Sequence, residues 1–591
     1  MMNRLKFLKF SYVVFIILLV SVSCRNSSFQ EITIFETTDL HGAILPFDFI
    51  EMQEADVSLA QISECVNRTR KEKREVILLD NGDNLQGQPP VYYYNFLDTN
   101  SLHINALAMN YMKFDASTVG NHDIEAGHSV YDRLTREYDF PLLAANAVNI
   151  KTGKPYFNPY VLISRKGIKI AVLGMITPAV PNWLPPKLYS GIEFRDMLET
   201  ARKWMPEIMK EKPDIVIGLF HSGWDPDVLT GRRNSGVTEN GAAEVAFNVP
   251  GFDIIFTGHD HNQTNEWFTN IDGKRVLILN AGSRAEKLAR ADIRFIKNKV
   301  TGKIEKEMTG SIIDVSRCEP DPVFLDKLNH YQKAVQNYVS KILTYSEVDF
   351  STRDSYFGSS AFVDMIHSVQ LAITGAQVSF SAPLSFDVMI KKGPLKVGDM
   401  FKLYRFENML YTVKMTGEEI DKYLEYSYAG WINTMQGPED YLLKYRLDGN
   451  GKPFLENGKA WLRNQPYNFD SAAGINYIVD ASKPDGMKVN IISMSDGTVF
   501  DRGKSYLVAL NSYRGSGGGG HLSEGAGISP AEFRKRIVSS TDKDLRFYVM
   551  KSLEKENRIH PIALNNWRII PEEWVRKAIP REKLLLFGST N

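Results

Sequence analysis

Five short apolar runs in the first half of the chain each break off into a cluster of His, Asp and Asn. Ile32-Thr33-Ile34-Phe35 leads to Thr38-Asp39-Leu40-His41, and Val76-Ile77-Leu78-Leu79 leads to Asn81-Gly82-Asp83-Asn84. The stretch Phe114 to Val119 leads to Gly120-Asn121-His122-Asp123. Ile215 to Leu219 leads to Phe220-His221-Ser222-Gly223, and Ile254 to Thr257 to Gly258-His259-Asp260-His261. Continuous apolar runs of this length read as buried strands. The carboxyl ends of such strands are where open α/β sheets gather their sites. One Asn-His pair would be weak evidence of function; the same design repeated five times constrains the fold.

Carboxylate and amide oxygens together with imidazole suit a hard or borderline divalent cation. Two cations about 3.5–4 Å apart clamp the attacking and leaving oxygens of an in-line phosphoryl displacement. One carboxylate must then bridge them, and Asp83 is the candidate. The segments Asp-x-His, Gly-Asp-Asn, Gly-Asn-His-Asp, His-Ser-Gly and Gly-His-Asp-His, in this order, resemble the calcineurin-like metallophosphoesterases. The resemblance implies one metal held by Asp39, His41, Asp83 and His261, and a second held by Asp83, Asn121, His221 and His259. Mn, Zn, Fe, Co and Mg all suit this donor set.

A length of 591 residues predicts several domains. Lys+Arg and Asp+Glu both number 70, so no global basic field argues for a nucleic-acid polymer. Residues 1–24 read as an export signal: Arg4, Lys6 and Lys9, an apolar run from Tyr12 to Val20, then Ser21-Val22-Ser23-Cys24. Cys24 resembles the lipidated cysteine of a bacterial lipoprotein, although Ser21 stands where an aliphatic residue is usual. A simple secretory signal is the alternative, and Arg25 to Gln30 is expected to be a polar tether. Cys65 and Cys318 lack the spacing of a disulfide framework or a zinc-thiolate site, and are expected to be buried small apolar residues.

The fold expected is α/β (α+β) in two parts. Residues 25–318 alternate strands and helices, as a four-layer α/β/β/α domain of two packed sheets with flanking helices would. A linker helix follows at 319–343, with Asp321 and Pro322 at its start. A mixed α/β substrate domain covers 344–555, and 556–591 reads as a tail. The second domain carries no clustered His/Asp strand ends, so it is expected to contact substrate and leave metals to the first. Facing aromatics could stack a nucleobase, worth roughly 1–3 kcal/mol per base.

The whole layout resembles the exported 5'-nucleotidase superfamily. His221-Ser222-Gly223, Asn511-Ser512-Tyr513-Arg514 and Asn565-Asn566-Trp567-Arg568 look most like the bacterial 2',3'-cyclic-nucleotide 2'-phosphodiesterase/3'-nucleotidases. In that resemblance Phe406 and Tyr513 match the two base-stacking aromatics and Asn408 a polar residue of the base site. There are two departures from the 5'-nucleotidases. Ser381 to Asp387 has no arginine where those enzymes carry one beside the phosphate, which weakens a bidentate grip on a terminal phosphate. Glu125 stands where their His is paired with Asp.

The expected enzyme is therefore an exported dinuclear-metal phosphoesterase, membrane-attached through Cys24, acting on 2',3'-cyclic nucleotides and 3'-nucleotides. A metal-bound water attacks phosphorus directly, and His122, with Glu125, stabilises the phosphoryl charge or protonates the leaving oxygen. Asp123 is expected to cap or support the loop. The alternatives are a 5'-nucleotidase or nucleotide-sugar or sugar-phosphate hydrolase of the same superfamily, and, outside the enzymes, a surface nucleoside-binding lipoprotein.

Overall fold

The five apolar runs form strands whose alternate residues face two different layers. The computed structural model describes residues 27–72, 74–230, 237–298 and 304–588. One six-stranded sheet runs in the order Ile304–Asp314, Lys287–Asn298, Ser27–Thr37, Glu75–Asp80, Ala116–Thr118, Leu142–Leu143. Its last four strands are mutually parallel. The second runs Gln263–Thr269, Arg275–Ala281, Ile254–Thr257, Ile215–His221, Ile168–Ile176, Tyr160–Arg165, with four parallel strands between antiparallel edges.

Ile32, Ile34, Ile77 and Leu79 pack between the sheets against Val172, Ile217, Leu219 and Phe256, all buried. Phe35, Val76 and Leu78 face outward, onto a helix layer that includes Leu59–Lys71 and Ile104–Met112. Strands covered on both faces need apolar residues at nearly every position, which is why the runs show no alternation. Helices Met197–Lys210 and Ala242–Asn248 cover the second sheet, completing the expected four layers.

Pro322–Ser340 forms the linker helix, and the Asp321 carboxylate accepts from the backbone N–H groups of Val323 and Phe324. Its buried residues Phe324, Leu328, Tyr331, Val335 and Val339 join the first domain's outer core, so the bridge is seated on that domain.

Three expectations need correction. Cys65 and Cys318 form a disulfide, with Cα atoms 6.1 Å apart across a sequence separation of 253. The antiparallel return of Lys287–Asn298 and Ile304–Asp314 along the sheet edge brings Cys318 back to the helix carrying Cys65, a closure that spacing does not reveal. The first strand begins at Ser27, inside the stretch expected to be a tether. The segment 556–591 is no tail: Trp567–Ile570 pairs in parallel with Ile475–Asp480. Helix Glu572–Phe587 then buries Val575, Ala578, Leu586 and Phe587 in the same core as Trp431 and Tyr477. The export signal and Cys24 lie outside the described residues.

The main sheet of the second domain is five-stranded, in the order Ser471–Ala473, Val378–Ser381, Ser505–Asn511, Leu410–Thr416, Ile537–Ser540, packed with helices Ala361–Thr374 and Gly417–Trp431.

Candidate metal centre and interdomain cleft

The five strand ends converge, and short backbone hydrogen bonds hold their loops together. Asp39 N–H donates to the Gly82 carbonyl at 2.9 Å, and His41 N–H to that of Asp83 at 2.9 Å. The Asp123 carboxylate accepts from the N–H groups of Gly120, Asp83, Asn84 and Leu85, so it ties two loops together as the sequence suggested. Glycine is required where loops touch: a Cβ on Gly120 would lie 2.1 Å from an Asp83 carboxylate oxygen. One on Gly258 would lie 2.2 Å from the Thr38 hydroxyl.

Two ligand clusters result, Asp39 with His41 and His261, and Asp83 with His221 and His259. Asn121 joins the second, its Oδ1 standing 3.1 Å from His221 Nε2, which is itself 3.2 Å from Asp83 Oδ2. All seven expected residues are thus brought to one place. The donor set fits bound cations on several counts. Asp39 Oδ1 is buried without a hydrogen-bond partner. His41 and His261 aim Nε2 at one another at 3.1 Å. His41 and His221 turn Nδ1 to backbone carbonyls, of Gln86 at 3.1 Å and Asn81 at 2.6 Å, and so present Nε2 inward. A ligating histidine is commonly oriented in this way by its other ring nitrogen.

The backbone is strained there. Asp39, His41, Asp83, His259 and His261 all have positive φ, from 48° to 73°. Side chains other than glycine adopt that region at a cost, and residues held there cluster at functional sites. Burial raises the Asp83 carboxyl pKa, but the imidazoles of His221, His122 and His41 outweigh it and hold the group well below the usual carboxylate range.

His122 stands beside the clusters without belonging to either. Its Nδ1 is 2.5 Å from Glu125 Oε2, so the longer glutamate does reach the imidazole. Burial pushes the His122 pKa down, yet Asp83 and Glu125 draw it up to about 10.

A cleft of about 240 Å³ opens from this centre toward the second domain. Asn121, His122, Glu125, Trp183, Glu239 and His259 line one side; Leu384, Phe406, Asn408, Tyr467 and Tyr513 line the other. Tyr467 sits edge-on to both Phe406 (5.9 Å, 82°) and Tyr513 (6.1 Å, 89°), a floor between the two aromatics. The buried Arg514 fixes this floor. Its guanidinium forks onto Asp470 at 2.8 and 3.0 Å and donates to the Tyr467 carbonyl at 2.6 Å. The glycine run also has a function here, since a Cβ on Gly518 would lie 2.4 Å from the Tyr513 ring. Trp183 and Glu239 were not anticipated, and no spacing rule marks them.

Comparison with known proteins accords with this geometry. Residues 32–263 match the family described as Calcineurin-like phosphoesterase, and residues 337–524 match 5'-nucleotidase, C-terminal domain. The chain joins a calcineurin-like phosphoesterase domain to a 5'-nucleotidase C-terminal domain. It is a metal-dependent hydrolase of phosphoric esters, and calcineurin-like phosphoesterases use divalent metals.

The phosphoesterase is 27% identical to a 2',3'-cyclic-nucleotide 2'-phosphodiesterase/3'-nucleotidase of Salmonella typhimurium, covering 92% of this chain and 90% of that protein. It is 26% identical to the protein of the same name from Haemophilus influenzae, over 97% and 92%. A trifunctional nucleotide phosphoesterase protein of Bacillus subtilis is 26% identical over 91% of the chain, which spans 39% of that longer protein. A putative 5'-nucleotidase from Staphylococcus aureus shares the fold with a TM-score of 0.74 at 21% identity, covering 91% of this chain and 100% of that one.

Proposed function

We propose that this phosphoesterase is an exported dinuclear enzyme that hydrolyses 2',3'-cyclic nucleotides and 3'-nucleotides. The observation that carries the reading is the cleft in which His259 of one ligand cluster, with Asn121 and His122, faces the Phe406–Tyr467–Tyr513 aromatics. Such a cleft takes a phosphate at one end and a base at the other. The relatives named for these two activities support the substrate class. Leu384, an apolar side chain, lines the cleft from the segment that lacks an arginine, which favours this reading over a 5'-nucleotidase.

Asp39, His41 and His261 are assigned to one cation and Asn121, His221 and His259 to the other, with Asp83 shared. Two divalent cations held there supply Lewis acidity and a nucleophile at neutral pH. His122 lines the cleft with Nδ1 held by Glu125, which leaves Nε2 to face the leaving oxygen and deliver a proton. Phe406 and Tyr513 stack the base, and Asn408, buried beside them, is assigned to its polar edge.

Export is supported by the disulfide, a bond that persists in oxidising compartments. It uses two of the three cysteines and leaves Cys24 for the lipid anchor.

The test is an activity panel of 2',3'-cyclic AMP, 3'-AMP, 5'-AMP and UDP-glucose, run after chelation and reloading with single metals. Preference for the first two supports the assignment. A preference for 5'-AMP or UDP-glucose moves the enzyme elsewhere in its superfamily, and metal binding without turnover leaves a nucleoside-binding protein.

A further inference from the structure

His259 is oriented differently from His41 and His221. Where those two turn Nδ1 to backbone carbonyls, His259 bonds through Nε2, and its partner is a carboxylate, Glu239 Oε1, at 2.9 Å. With Nε2 occupied, Nδ1 is the nitrogen left for the cluster formed with Asp83 and His221.

The rest of the surroundings fix the ring in that pose. His259 has φ of 73°, and its backbone N–H donates to Asp39 Oδ2 at 3.0 Å. Trp183 leans on the ring at 5.3 Å and the His221 ring meets it at 5.4 Å. The His259 side chain is 11% exposed while that of Glu239 is 51% exposed, so the carboxylate comes in from the solvent side of the imidazole.

Glu239 is itself set by the loop that carries His221. The Glu239 carbonyl accepts from the hydroxyls of Ser222 at 2.9 Å and Thr177 at 2.8 Å. Ser222 Oγ also accepts from Gly241 N–H at 2.9 Å, and Asn240 Oδ1 accepts from Gly223 N–H at 3.1 Å. The segment delivering the carboxylate is therefore stitched, at Glu239 and at the two residues after it, to the segment delivering another ligand.

We propose that Glu239 is the positioning residue of the cation site containing His259, holding the imidazole with Nε2–H toward its carboxylate and Nδ1 toward the metal. A carboxylate in this place fixes the tautomer and makes the imidazole a more basic ligand than a carbonyl partner does. The two cation sites then differ in kind: His41 leans on a backbone carbonyl, whereas His259 leans on a side chain that a single substitution removes. This inference rests on the dinuclear reading above.

The test is calorimetric titration of the metal-stripped full chain with Mn2+, comparing wild type with Glu239→Gln and Glu239→Ala. Glu239 is half-exposed, so neither change threatens folding. Wild type is expected to bind two ions. Glu239→Ala should weaken one site by about 10–100-fold and leave the other alone. Glu239→Gln, which keeps an acceptor oxygen, should lose less. Saturating Mn2+ should restore turnover of 3'-AMP and bis(p-nitrophenyl) phosphate alike. Two unchanged affinities in Glu239→Ala would overturn the proposal, and a raised KM confined to nucleotides would make Glu239 a wall of the cleft instead. A wild-type chain that binds fewer than two ions overturns the dinuclear reading itself, and this inference with it.

Discussion

His41 and His261 point their Nε2 atoms at each other across 3.1 Å. In the tautomer that ligates a metal, both nitrogens present lone pairs, which repel at that distance, and Asp39 Oδ1 lies 3.3 Å from His261 Nε2 with no proton between them. A cation relieves both. Removing metal with a chelator should therefore lower Tm, and Mn2+ or Zn2+ should restore it. Each site contributes about 2.7 kcal/mol when the free ion is at 100 times Kd. A Tm indifferent to chelation and reloading would argue that the arrangement holds no ion.

Asp83→Asn removes a charge that both sites are assigned to share. Metal occupancy and activity should fall together, by more than the roughly 10–100-fold typical of residues that only support ligands. Elemental analysis beside a rate assay decides it, and full occupancy with normal turnover sinks the shared role.

The base-stacking role proposed for Tyr513 is separable from chemistry. Tyr513→Ala should forfeit on the order of 1–3 kcal/mol. The loss should appear mainly as a raised KM for nucleotides, since the base is held equally in ground and transition states. Bis(p-nitrophenyl) phosphate, which has no base, should respond much less. Equal losses on both substrates would assign Tyr513 to the fold or to domain closure.

His122→Ala should lower kcat by roughly 10²–10⁴ with metal content intact, the usual range for one acid–base group. Glu125→Gln should cost less, because the imidazole stays while losing its 2.5 Å carboxylate partner. If His122→Ala instead strips metal, the residue is a ligand.

Acid stability should depend on His367. The ring is fully buried between the hydroxyls of Ser379 and Ser471, and burial lowers its pKa to about 3. The unfolded chain binds a proton below about pH 6.5 while the folded chain does not until about pH 3. Stability present above pH 6.5 is therefore lost as the pH falls through that window, by up to about 1.4 kcal/mol per pH unit. His367→Gln, which cannot titrate, should show a shallower fall of Tm between pH 7 and 5. An unchanged slope would mean that the folded state already carries the charge.

The strand-end clusters were legible because burial on both faces forces continuous apolar runs and the ligands must follow them directly. His122, Glu125, Phe406 and Tyr513 were legible through motif resemblance, and the structure brings them to the same cleft. Glu239 and Trp183 were not, since each reaches the site from a loop whose local sequence carries no periodic signal. The Cys65–Cys318 bond was missed for a related reason: its geometry is made by a sheet edge that turns back on itself far along the chain. The strained backbone at Asp39, His41, Asp83, His259 and His261 could not have been read either, because tertiary contacts impose it on residues that disfavour it. The segment 556–591 looked peripheral because short strands and helices bordered by polar residues give little pattern until they are docked.

The bond between Cys65 and Cys318 makes most of the phosphoesterase domain a covalent ring, closed just before the linker helix. A backbone cut anywhere inside that ring leaves the two fragments chained together, whereas a cut between Cys318 and the second domain parts the two His/Asp clusters from Phe406 and Tyr513. Protection against proteolysis is thus unevenly distributed. The stretch from Asp83 to His261 survives nicking as one molecule, whereas Asp39, His41 and the join to the second domain lie outside the ring.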